Sequence, residues 1–341
     1  MALQGGVVGR ELFSGAALRG RLVVSGLLGS AVLLALLAFA DFAQLLATVQ
    51  RFAWPLLFPI IGLTLINYGI RFVKWEYFLR QVGIFDLPRK DSLGIFLAGF
   101  TMVMTPGKVG EFLKAYFVRR VHGASFARAA PVVLAERLTD GLAMVLLTLV
   151  GLASYPPLRG AILGVGAALL ALVALVQVRP AAQRLLGWMH RLPLLSVLAP
   201  RLEETYESTR LLLAPSVLAL SVALGLVAWG CEGVAYFLVL VGLGEVPGPA
   251  LLSQAVFILA ASTILGAVSL LPGGLGITDG SLVGLALWIV GLDRAAAVAG
   301  ALLIRLATLW FGMALGVGAL LALRRRLFLG PGPGAPGEER A

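Results

Sequence analysis

The chain has 341 residues, of which 60% are hydrophobic and only 13% are charged, and it carries a formal net charge of +10. A soluble domain has about 25% charged residues, so this composition excludes an ordinary soluble protein. Several uncharged stretches approach or exceed the roughly 20 apolar residues that a helix needs to cross a bilayer core. These stretches are continuously apolar and do not alternate, which excludes an outer-membrane barrel. We therefore predict an all-α polytopic membrane protein.

The first half of the chain is predicted to hold three membrane-spanning helices and one interrupted segment, 91–121. The spanning helices lie near 22–40, 55–79 and 126–153. Arg10, Arg19 and Arg21 precede the first helix, and cytoplasmic flanks hold most of the lysines and arginines of a membrane protein. We therefore expect residues 1–21 to be a cytoplasmic N-terminus.

The second half repeats this plan around an interrupted segment at 250–291. Its spanning helices lie near 160–178, 211–243 and 295–323. Residues 180–210 mix charges with leucines, a composition typical of a helix that lies on the membrane surface. Residues 22–325 would thus form one membrane domain. The Pro/Gly-rich tail 326–341 is predicted to be disordered and cytoplasmic.

The positive charges also predict the side of the membrane on which each loop lies. Loops 41–54 and 151–159 each hold a single arginine and are expected outside, whereas 74–91 and 179–210 are basic and are expected inside. The first interrupted segment has basic flanks, so it would enter and leave the membrane from the cytoplasm as a re-entrant hairpin. The second has almost no positive flank and would enter from the outside.

Some charged residues near the first interrupted segment are assigned to the membrane surface. Lys74 and Glu76 are interpreted as an interfacial charge cluster, with Trp75 as its aromatic anchor. Lys114 is counted with the cytoplasmic charges that follow the first break.

Three pairs of landmarks indicate an internal duplication. Pro106 and Pro272 are 166 positions apart, Arg137 and Arg305 are 168 apart, and Tyr77 and Tyr236 are 159 apart. The repeats are predicted at about 22–153 and 160–323. Because each holds an odd number of crossings, the halves would have opposite orientations, as in an inverted repeat. The alternative is that both interrupted segments span the membrane as broken helices, which gives eight spanning helices and parallel repeats.

The interruptions are short Pro-Gly motifs. The first reads Thr105-Pro106-Gly107-Lys108-Val109-Gly110-Glu111, and the second reads Leu271-Pro272-Gly273-Gly274-Leu275-Gly276. Proline ends the helical hydrogen bonding, and glycine permits a sharp reversal. A half-helix that starts after such a break points its positive end and free N–H groups toward the midplane, where an anionic group can bind. The predicted substrate-binding residues here are Pro106, Gly107, Gly110, Pro272, Gly273 and Gly276. The simpler alternative is that both motifs are ordinary kinks.

Two arginines within apolar helices are the predicted substrate-binding side chains. Placing an arginine in hydrocarbon costs about 2.5–3.5 kcal/mol, so such residues pair or face a cavity. Arg137 is a candidate for binding phosphate, and the alternative is structural pairing with Glu136 or Glu111. Arg305 has no carboxylate nearby in the sequence, so Asp279 is its natural distant partner. The acids assigned to pairing or proton coupling are Glu111, Glu136, Asp140, Asp279 and Glu232.

The chain lacks the signatures of several other chemistries. Gly107-Lys108 is followed by valine, so the motif is not a Walker phosphate loop. His122 and His190 are isolated, and no nucleophile, base and orienting group form a recognisable set. We therefore expect no enzyme, cofactor or metal site. The net charge is interpreted as a record of membrane orientation and not as a nucleic-acid interface.

Over roughly residues 20–325 the chain resembles the flippase-like transmembrane domain of lysylphosphatidylglycerol synthases, a family that includes YbhN-type and AglD-type membrane proteins. The resemblance rests on the two Pro-Gly motifs and on the run Glu136-Arg137-Leu138-Thr139-Asp140. In bifunctional members this domain moves lysylphosphatidylglycerol between leaflets, and a separate soluble domain makes it. We do not expect that synthase domain in this chain. The positions that match the family motif are Pro106, Gly107, Gly110, Glu111, Glu136, Arg137, Asp140, Pro272, Gly273, Gly276 and Arg305.

The resulting hypothesis is a lipid translocase in the cytoplasmic membrane, with both termini in the cytoplasm. It would move a phosphate-bearing, anionic lipid, either a phospholipid or a polyprenyl-phosphate lipid, between the leaflets. Arg137 near the inner leaflet and Arg305 near the outer leaflet would form two similar phosphate sites. The alternatives are a secondary transporter of a small anion and a non-transporting partner of a separate lipid- or glycan-modifying enzyme. A homo-oligomer is also left open.

Overall fold

The computed structural model describes residues 32, 34–105, 110–152, 156–178 and 199–324. These residues are mostly helical and contain no strand. Six of their helices are long and apolar enough to cross a membrane, or seven if the bent pair at residues 34–51 counts as one span. The chain is therefore an all-α polytopic membrane protein. The N-terminus 1–21, residues 180–198 of the surface segment and the tail 326–341 lie outside the described residues.

The helices of the first half follow the predicted order. They are Leu34–Ala40 (α1), Phe42–Arg51 (α2), Leu57–Gln81 (α3), Arg89–Ala98 (α4), Leu113–His122 (α5) and Phe126–Leu152 (α6). A 3₁₀ segment, Gly99–Met104, continues α4 toward the first break. The spanning helices predicted near 55–79 and 126–153 thus correspond to α3 and α6.

The second half has the same sequence of elements. They are Arg159–Gln177 (α7), Ala199–Leu212 (α8), Pro215–Gly242 (α9), Pro249–Val268 (α10), Ile277–Leu285 (α11), Arg294–Arg305 (α12) and Phe311–Arg324 (α13). Short π-helical segments follow α11 and α12, at Ala286–Val290 and Leu306–Trp310. Such π-turns are frequent at functional sites, and the second one begins directly after Arg305.

Segment 41–54 was predicted to be a loop, which was wrong, because most of it forms α2. The side of the membrane on which it lies stays a prediction. Asp41 ends α1 with a φ of 60°, and its side chain accepts a hydrogen bond from the N–H of Ala43 at 3.0 Å. The chain turns there, so that α1 and α2 meet at 89°. Phe42, Leu45 and Val49 recur at helical spacing, and α2 packs inward through the buried side chain of Leu45. This amphipathic pattern was short enough to be overlooked beside the longer apolar runs.

Helices α3 and α9 pack against each other at the centre of the bundle. The side-chain amide of Asn67 on α3 donates to the carbonyl oxygen of Ala228 on α9 at 2.8 Å. One turn earlier on α9, Gly225 approaches α6 so closely that an added Cβ would come within 2.9 Å of Ala143. Small residues of this kind let membrane helices approach closely, since lipid gives no hydrophobic drive for their association.

The interrupted segments pack reciprocally across the two halves. Helix α4 of the first segment lies against α13, the last helix of the second half, and α10 of the second segment lies against α6, the last described helix of the first half. The two breaks also touch each other through the 3₁₀ segments Gly99–Met104 and Pro272–Gly274. Groups from both breaks therefore meet in the middle of the bundle.

The backbone of the second break requires glycine. Gly273, Gly274 and Gly276 have φ values of 59°, 67° and 83°. These values lie in the left-handed region, which costs about 1–2 kcal/mol for a residue with a side chain. Pro272 and Gly273 are buried, and the N–H of Gly276 donates to Oδ2 of Asp279 at 2.9 Å. Asp279 therefore caps the first turn of α11.

Less of the first break belongs to the described residues. Gly110 is buried, and its N–H donates to Oγ1 of Thr105 at 2.8 Å. Pro106 and Gly107, two of the predicted binding positions, lie outside the described residues.

The lengths of the helices leave the two predicted topologies open. Helix α10 and the stretch Pro272–Val290 are each long and apolar enough to cross a bilayer. Both re-entrant hairpins and eight spanning helices agree with this length.

Candidate functional site

A cavity of about 130 Å³ lies where the two interrupted segments meet. Its charged lining side chains are Arg71, Glu111, Lys114, Arg137, Glu232 and Arg305. Aromatic and aliphatic side chains complete its walls, among them Tyr68, Phe100, Trp229, Leu259 and Leu309. Pockets that enclose a whole small-molecule ligand measure about 300–1,000 Å³. This cavity therefore suits a polar group of headgroup size and not a whole lipid.

Arg305 connects the second break to the cavity wall. Its Nε lies 2.9 Å from Oδ1 of Asp279, which is the partner expected from the sequence. A terminal nitrogen of the same guanidinium donates to the carbonyl oxygen of Gly273 at 2.8 Å. Asp279 thus bridges Arg305 and the first turn of α11, and Arg305 in turn satisfies a carbonyl that the break leaves without a helical partner.

Arg137 has the equivalent arrangement in the first half. Its Nε lies 3.0 Å from Oε2 of Glu111, and a terminal nitrogen lies 3.9 Å from Oδ2 of Asp140. In both halves the acid follows the break and stands 26 positions before its arginine, and in both the contact is made by Nε. The expected partner Glu111 is therefore present, whereas Glu136 pairs elsewhere.

The interpretation of Lys74 as an interfacial residue was wrong. Lys74 is 1% exposed and donates to the carboxylate of Asp140 and, at 3.3 Å, to Oγ1 of Thr139. Asp140 also lies 3.8 Å from Nε of Arg71. Trp75, expected as an interfacial anchor, is fully buried. Charges on α3 are thus neutralised inside the bundle by an acid that is more than sixty positions away.

Lys114, counted with the cytoplasmic charges that follow the first break, lies inside the bundle on α5. It is 3% exposed, and its Nζ lies 2.5 Å from Oε2 of Glu136. The same ammonium lies 4.6 Å from the ring centroid of Trp75 and 5.7 Å from that of Phe96. A carboxylate and two aromatic faces together offset the desolvation of this buried charge.

Glu232 differs from the other acids of the cavity. It is 6% exposed and lines the cavity, yet among the described residues it has no ion pair and no hydrogen bond. Arg71 and Arg305 act on it as cations, and Asp140 acts on it as a like charge. Arg71 lies over the faces of Phe100 and Trp229, at 5.6 Å and 5.3 Å from the ring centroids. Glu232 is therefore a carboxylate that faces cations without contacting them.

The lining has an excess of positive charge. Four cationic and two acidic side chains face the cavity. The paired groups directly behind them, Lys74, Glu136, Asp140 and Asp279, bring the formal sum of the whole cluster to zero. Most of the positive charge thus lies at the cavity surface and most of the acids that balance it lie behind, and positive charge in surroundings of low dielectric attracts an anion more strongly than it would in water.

The structure brings only part of the predicted site to the cavity surface. Arg137, Arg305, Gly273, Glu111 and Glu232 line it. The residues that lie behind the lining, and either hold its cations or shape the breaks, are Gly110, Glu136, Asp140, Pro272, Gly276 and Asp279.

Sequence reasoning missed Arg71, Lys74 and Lys114 as members of the cluster. Arg71 and Lys74 are three positions apart on α3 and so share a helical face, which was a usable signal. No comparable signal marked Lys114, because its buried position depends on how α5 packs against α6.

The model of one protein family, the lysylphosphatidylglycerol synthase TM region, matches residues 23–316 of the chain. This range includes both breaks and every charged residue of the cavity. The chain belongs to this family. It is therefore a multi-pass membrane protein from a family connected with lipid handling.

Two relatives of this family member are membrane proteins of the UPF0104 type. The relative from Methanothermobacter thermautotrophicus is 27% identical over 276 residues, which cover 73% of this chain and 79% of the relative. The relative from Pyrococcus horikoshii is 26% identical over 332 residues, which cover 89% of this chain and 97% of the relative. No solved structure matches the chain.

Proposed function

We propose that the protein is a lipid translocase that moves a phosphate-bearing, anionic lipid between the leaflets of the cytoplasmic membrane. The observation that carries the proposal is the cavity onto which Arg137 and Arg305, one from each half, both open. Each arginine is paired with an acid that directly follows a helix break, and both lie inside an otherwise apolar bundle. On this proposal the protein is a transporter and not an enzyme.

Phosphate suits these arginines because a guanidinium presents several N–H donors in one plane. Each arginine uses Nε for its carboxylate, at 3.0 Å and 2.9 Å, and Arg305 also uses one terminal nitrogen for the carbonyl of Gly273. On this proposal the remaining terminal N–H groups donate to the phosphate, and the cations at the cavity surface add an attraction for an anion. A phosphodiester or phosphomonoester headgroup would satisfy both the donors and the charge.

A lipid is favoured over a free anion by the family and by the cavity walls. Phe100, Leu259 and Leu309 line the cavity beside the charged groups. A headgroup would enter the polar part while the acyl chains stay in the surrounding bilayer. The volume of about 130 Å³ agrees with entry of the headgroup alone.

We further propose that the two halves form an inverted repeat with both termini in the cytoplasm. The support is that α2, α3, the first interrupted segment and α6 recur in order as α8, α9, the second interrupted segment and α12–α13. The reciprocal packing of α4 on α13 and of α10 on α6 is what a pseudo-two-fold relation produces. In that arrangement the cavity would be reached alternately from the two leaflets.

The proposal is tested with purified protein in liposomes that carry a labelled lipid in both leaflets. A membrane-impermeant quencher destroys the label in the outer leaflet, and translocation is measured as the additional loss of signal. We expect loss with labelled anionic phospholipid and a slower loss with zwitterionic phospholipid. Uptake of inorganic phosphate into the vesicles without lipid movement would favour the small-anion transporter instead. No movement of either would favour a partner of a separate enzyme.

A further inference from the structure

The proposed function assigns no role to Glu232, one of the acids that line the cavity. The other acids lie within 4.0 Å of a cation: Glu111 with Arg137, Glu136 with Lys114, Asp140 with Lys74, and Asp279 with Arg305. Glu232 is 94% buried on α9 and faces the cavity, and within the described part of the chain it has no such contact. It is therefore the carboxylate whose surroundings change most when an anion enters.

The charged and titratable groups around Glu232 come from several packed elements. They are Tyr68 and Arg71 from α3, Asp140 from α6, Arg305 from α12, and Cys231 on α9 itself. Helix α10, which also packs against α9, carries no titratable side chain. The other charged groups on the cavity wall are Glu111, Lys114 and Arg137. Glu232 thus depends on Arg71 and Arg305 for its positive surroundings.

An anionic headgroup would compete with Glu232 for these two cations. Without the headgroup, Arg71 and Arg305 are the cations that stabilise the carboxylate, and Asp140 opposes them. A phosphate bound to Arg305 or Arg71 would withdraw that stabilisation and place a second negative charge in the same small space. A buried carboxylate beside a second negative charge is more stable when it has taken up a proton.

We propose that Glu232 takes up one proton when the cavity binds an anionic headgroup and releases it when the headgroup leaves. Only the O–H bond of Glu232 forms and breaks, and the proton comes from and returns to the water on the side where the headgroup exchanges. This inference rests on the proposed function and adds that binding of the headgroup is coupled to protonation of Glu232. Binding linkage is reciprocal, so protonation must strengthen headgroup binding by the same factor by which the headgroup strengthens protonation.

The coupling is tested by flux of labelled phosphatidylglycerol in phosphatidylcholine vesicles, with the wild type, Glu232→Gln and Glu203→Gln. Glutamine mimics the protonated acid, and Glu203 is an exposed residue of α8 that serves as a matched control. We expect wild-type flux to fall by about tenfold from pH 6 to pH 8, a typical size for coupling between two sites. An imposed pH gradient should drive the labelled lipid toward one leaflet. Glu203→Gln should behave as the wild type does, whereas flux through Glu232→Gln should no longer respond to pH or to the gradient.

Binding in detergent separates this inference from the proposed function. Glycerophosphoglycerol, a phosphodiester that keeps one negative charge between pH 6 and pH 8, should raise the midpoint of thermal unfolding more at pH 6 than at pH 8 in the wild type, and equally at both in Glu232→Gln. A weakly buffered solution should lose protons when the wild type binds the ligand. If the wild type moves no lipid at any pH, the proposed function fails, and these binding measurements still decide the coupling. Equal pH responses in the wild type and Glu232→Gln, or no proton uptake on binding, would overturn it.

Discussion

Asp140 balances three cations that come from two helices. It contacts Lys74, and its Oδ2 lies 3.8 Å from Arg71 and 3.9 Å from Arg137. Among the described residues, Glu136 forms an ion pair with Lys114 alone. Lys114 in addition lies over the faces of Trp75 and Phe96. When a buried charge loses its partner, no water takes the partner's place, and the charge is left unpaired.

We therefore expect Asp140→Asn to destabilise the fold more than Glu136→Gln does. Loss of one partner from a buried pair typically costs about 3–5 kcal/mol, and Asp140→Asn leaves Lys74 and Arg71 without that carboxylate. Glu136→Gln should cost less, since Lys114 keeps its aromatic contacts. Thermal unfolding in one detergent at fixed pH measures both variants. Equal midpoints would mean that Asp140 is not the centre of this network.

Arg305 has a structural partner and a proposed ligand, and the two roles respond differently to substitution. Arg305→Gln should lower stability by about 1–3 kcal/mol, because Asp279 loses its partner while it still caps α11. Adding Asp279→Asn should restore part of that loss without restoring lipid flux. Arg305→Lys keeps the charge but loses the planar donors, so it should give intermediate flux.

In the Arg305 variants, stability and lipid flux should therefore change independently of each other. Unfolding midpoints and leaflet-specific flux are measured on the same preparations. Full flux in the double variant Arg305→Gln, Asp279→Asn would make Arg305 a structural residue only.

Some ion pairs of this site could be predicted from the sequence, and others depend on how distant helices pack. The pair of Arg305 and Asp279 was predictable, because an arginine in an apolar run requires a partner and few acids were available. The contact of Lys74 with Asp140 was not, because it depends on how α3 packs against α6. Local charge patterns made Lys74 and Lys114 resemble surface residues, whereas both are buried.

At the scale of elements, the second break fixes the position of both Arg305 and α11. Gly273 has a φ of 59°, and its carbonyl accepts from Arg305, so the local backbone holds one of the cavity cations. Helix propensity alone does not reveal this, since Pro-Gly motifs also occur as simple kinks in membrane helices. Long apolar runs predicted four of the six candidate spans, those of α3, α7, α9 and α12–α13. The amphipathic helix α2 was not predicted, because only ten residues define it.

Substitution of Gly273 by leucine should impair transport beyond its effect on insertion. A side chain at a left-handed φ costs about 1–2 kcal/mol, and relaxation of the break would move the carbonyl that Arg305 contacts. Gly280 on α11 is a matched control, since an added Cβ there would meet nothing within 4 Å. Flux normalised to the amount of protein in the vesicles is the measurement. Equal flux for Gly273→Leu and Gly280→Leu would reduce the break to an ordinary kink.

At the scale of the whole molecule, the repeated order of elements and the reciprocal packing favour two related halves. Their orientation relative to each other is a separate matter, which helix lengths leave open. Opposite orientation places the exposed residue Arg119, after the first break, and the exposed residue Arg294, after the second, on opposite sides of the membrane.

Single cysteines at these two positions test the orientation. Cys231 is first replaced by alanine, and a membrane-impermeant maleimide is applied to intact cells and to inverted vesicles. We expect Arg119→Cys to react only from the cytoplasm and Arg294→Cys only from outside. Arg294→Cys spares the neighbouring Asp293, whose side chain caps α12 through Ala296. Labelling of both positions from one side would exclude the inverted repeat.

The central claim is that an anionic headgroup passes through the cavity shared by Arg137 and Arg305. The most direct measurement is leaflet-specific flux of labelled phosphatidylglycerol by the wild type, Arg137→Gln, Arg305→Gln and Arg201→Gln in liposomes. Arg201 is an exposed arginine of α8 away from the cavity lining, so its variant controls for a lost surface charge. We expect flux to fall by at least about tenfold in each cavity variant, since a charge-assisted hydrogen bond is worth about 1.5–3 kcal/mol, and to stay unchanged in Arg201→Gln. Wild-type flux in Arg137→Gln and Arg305→Gln, at normal protein levels, would contradict the claim.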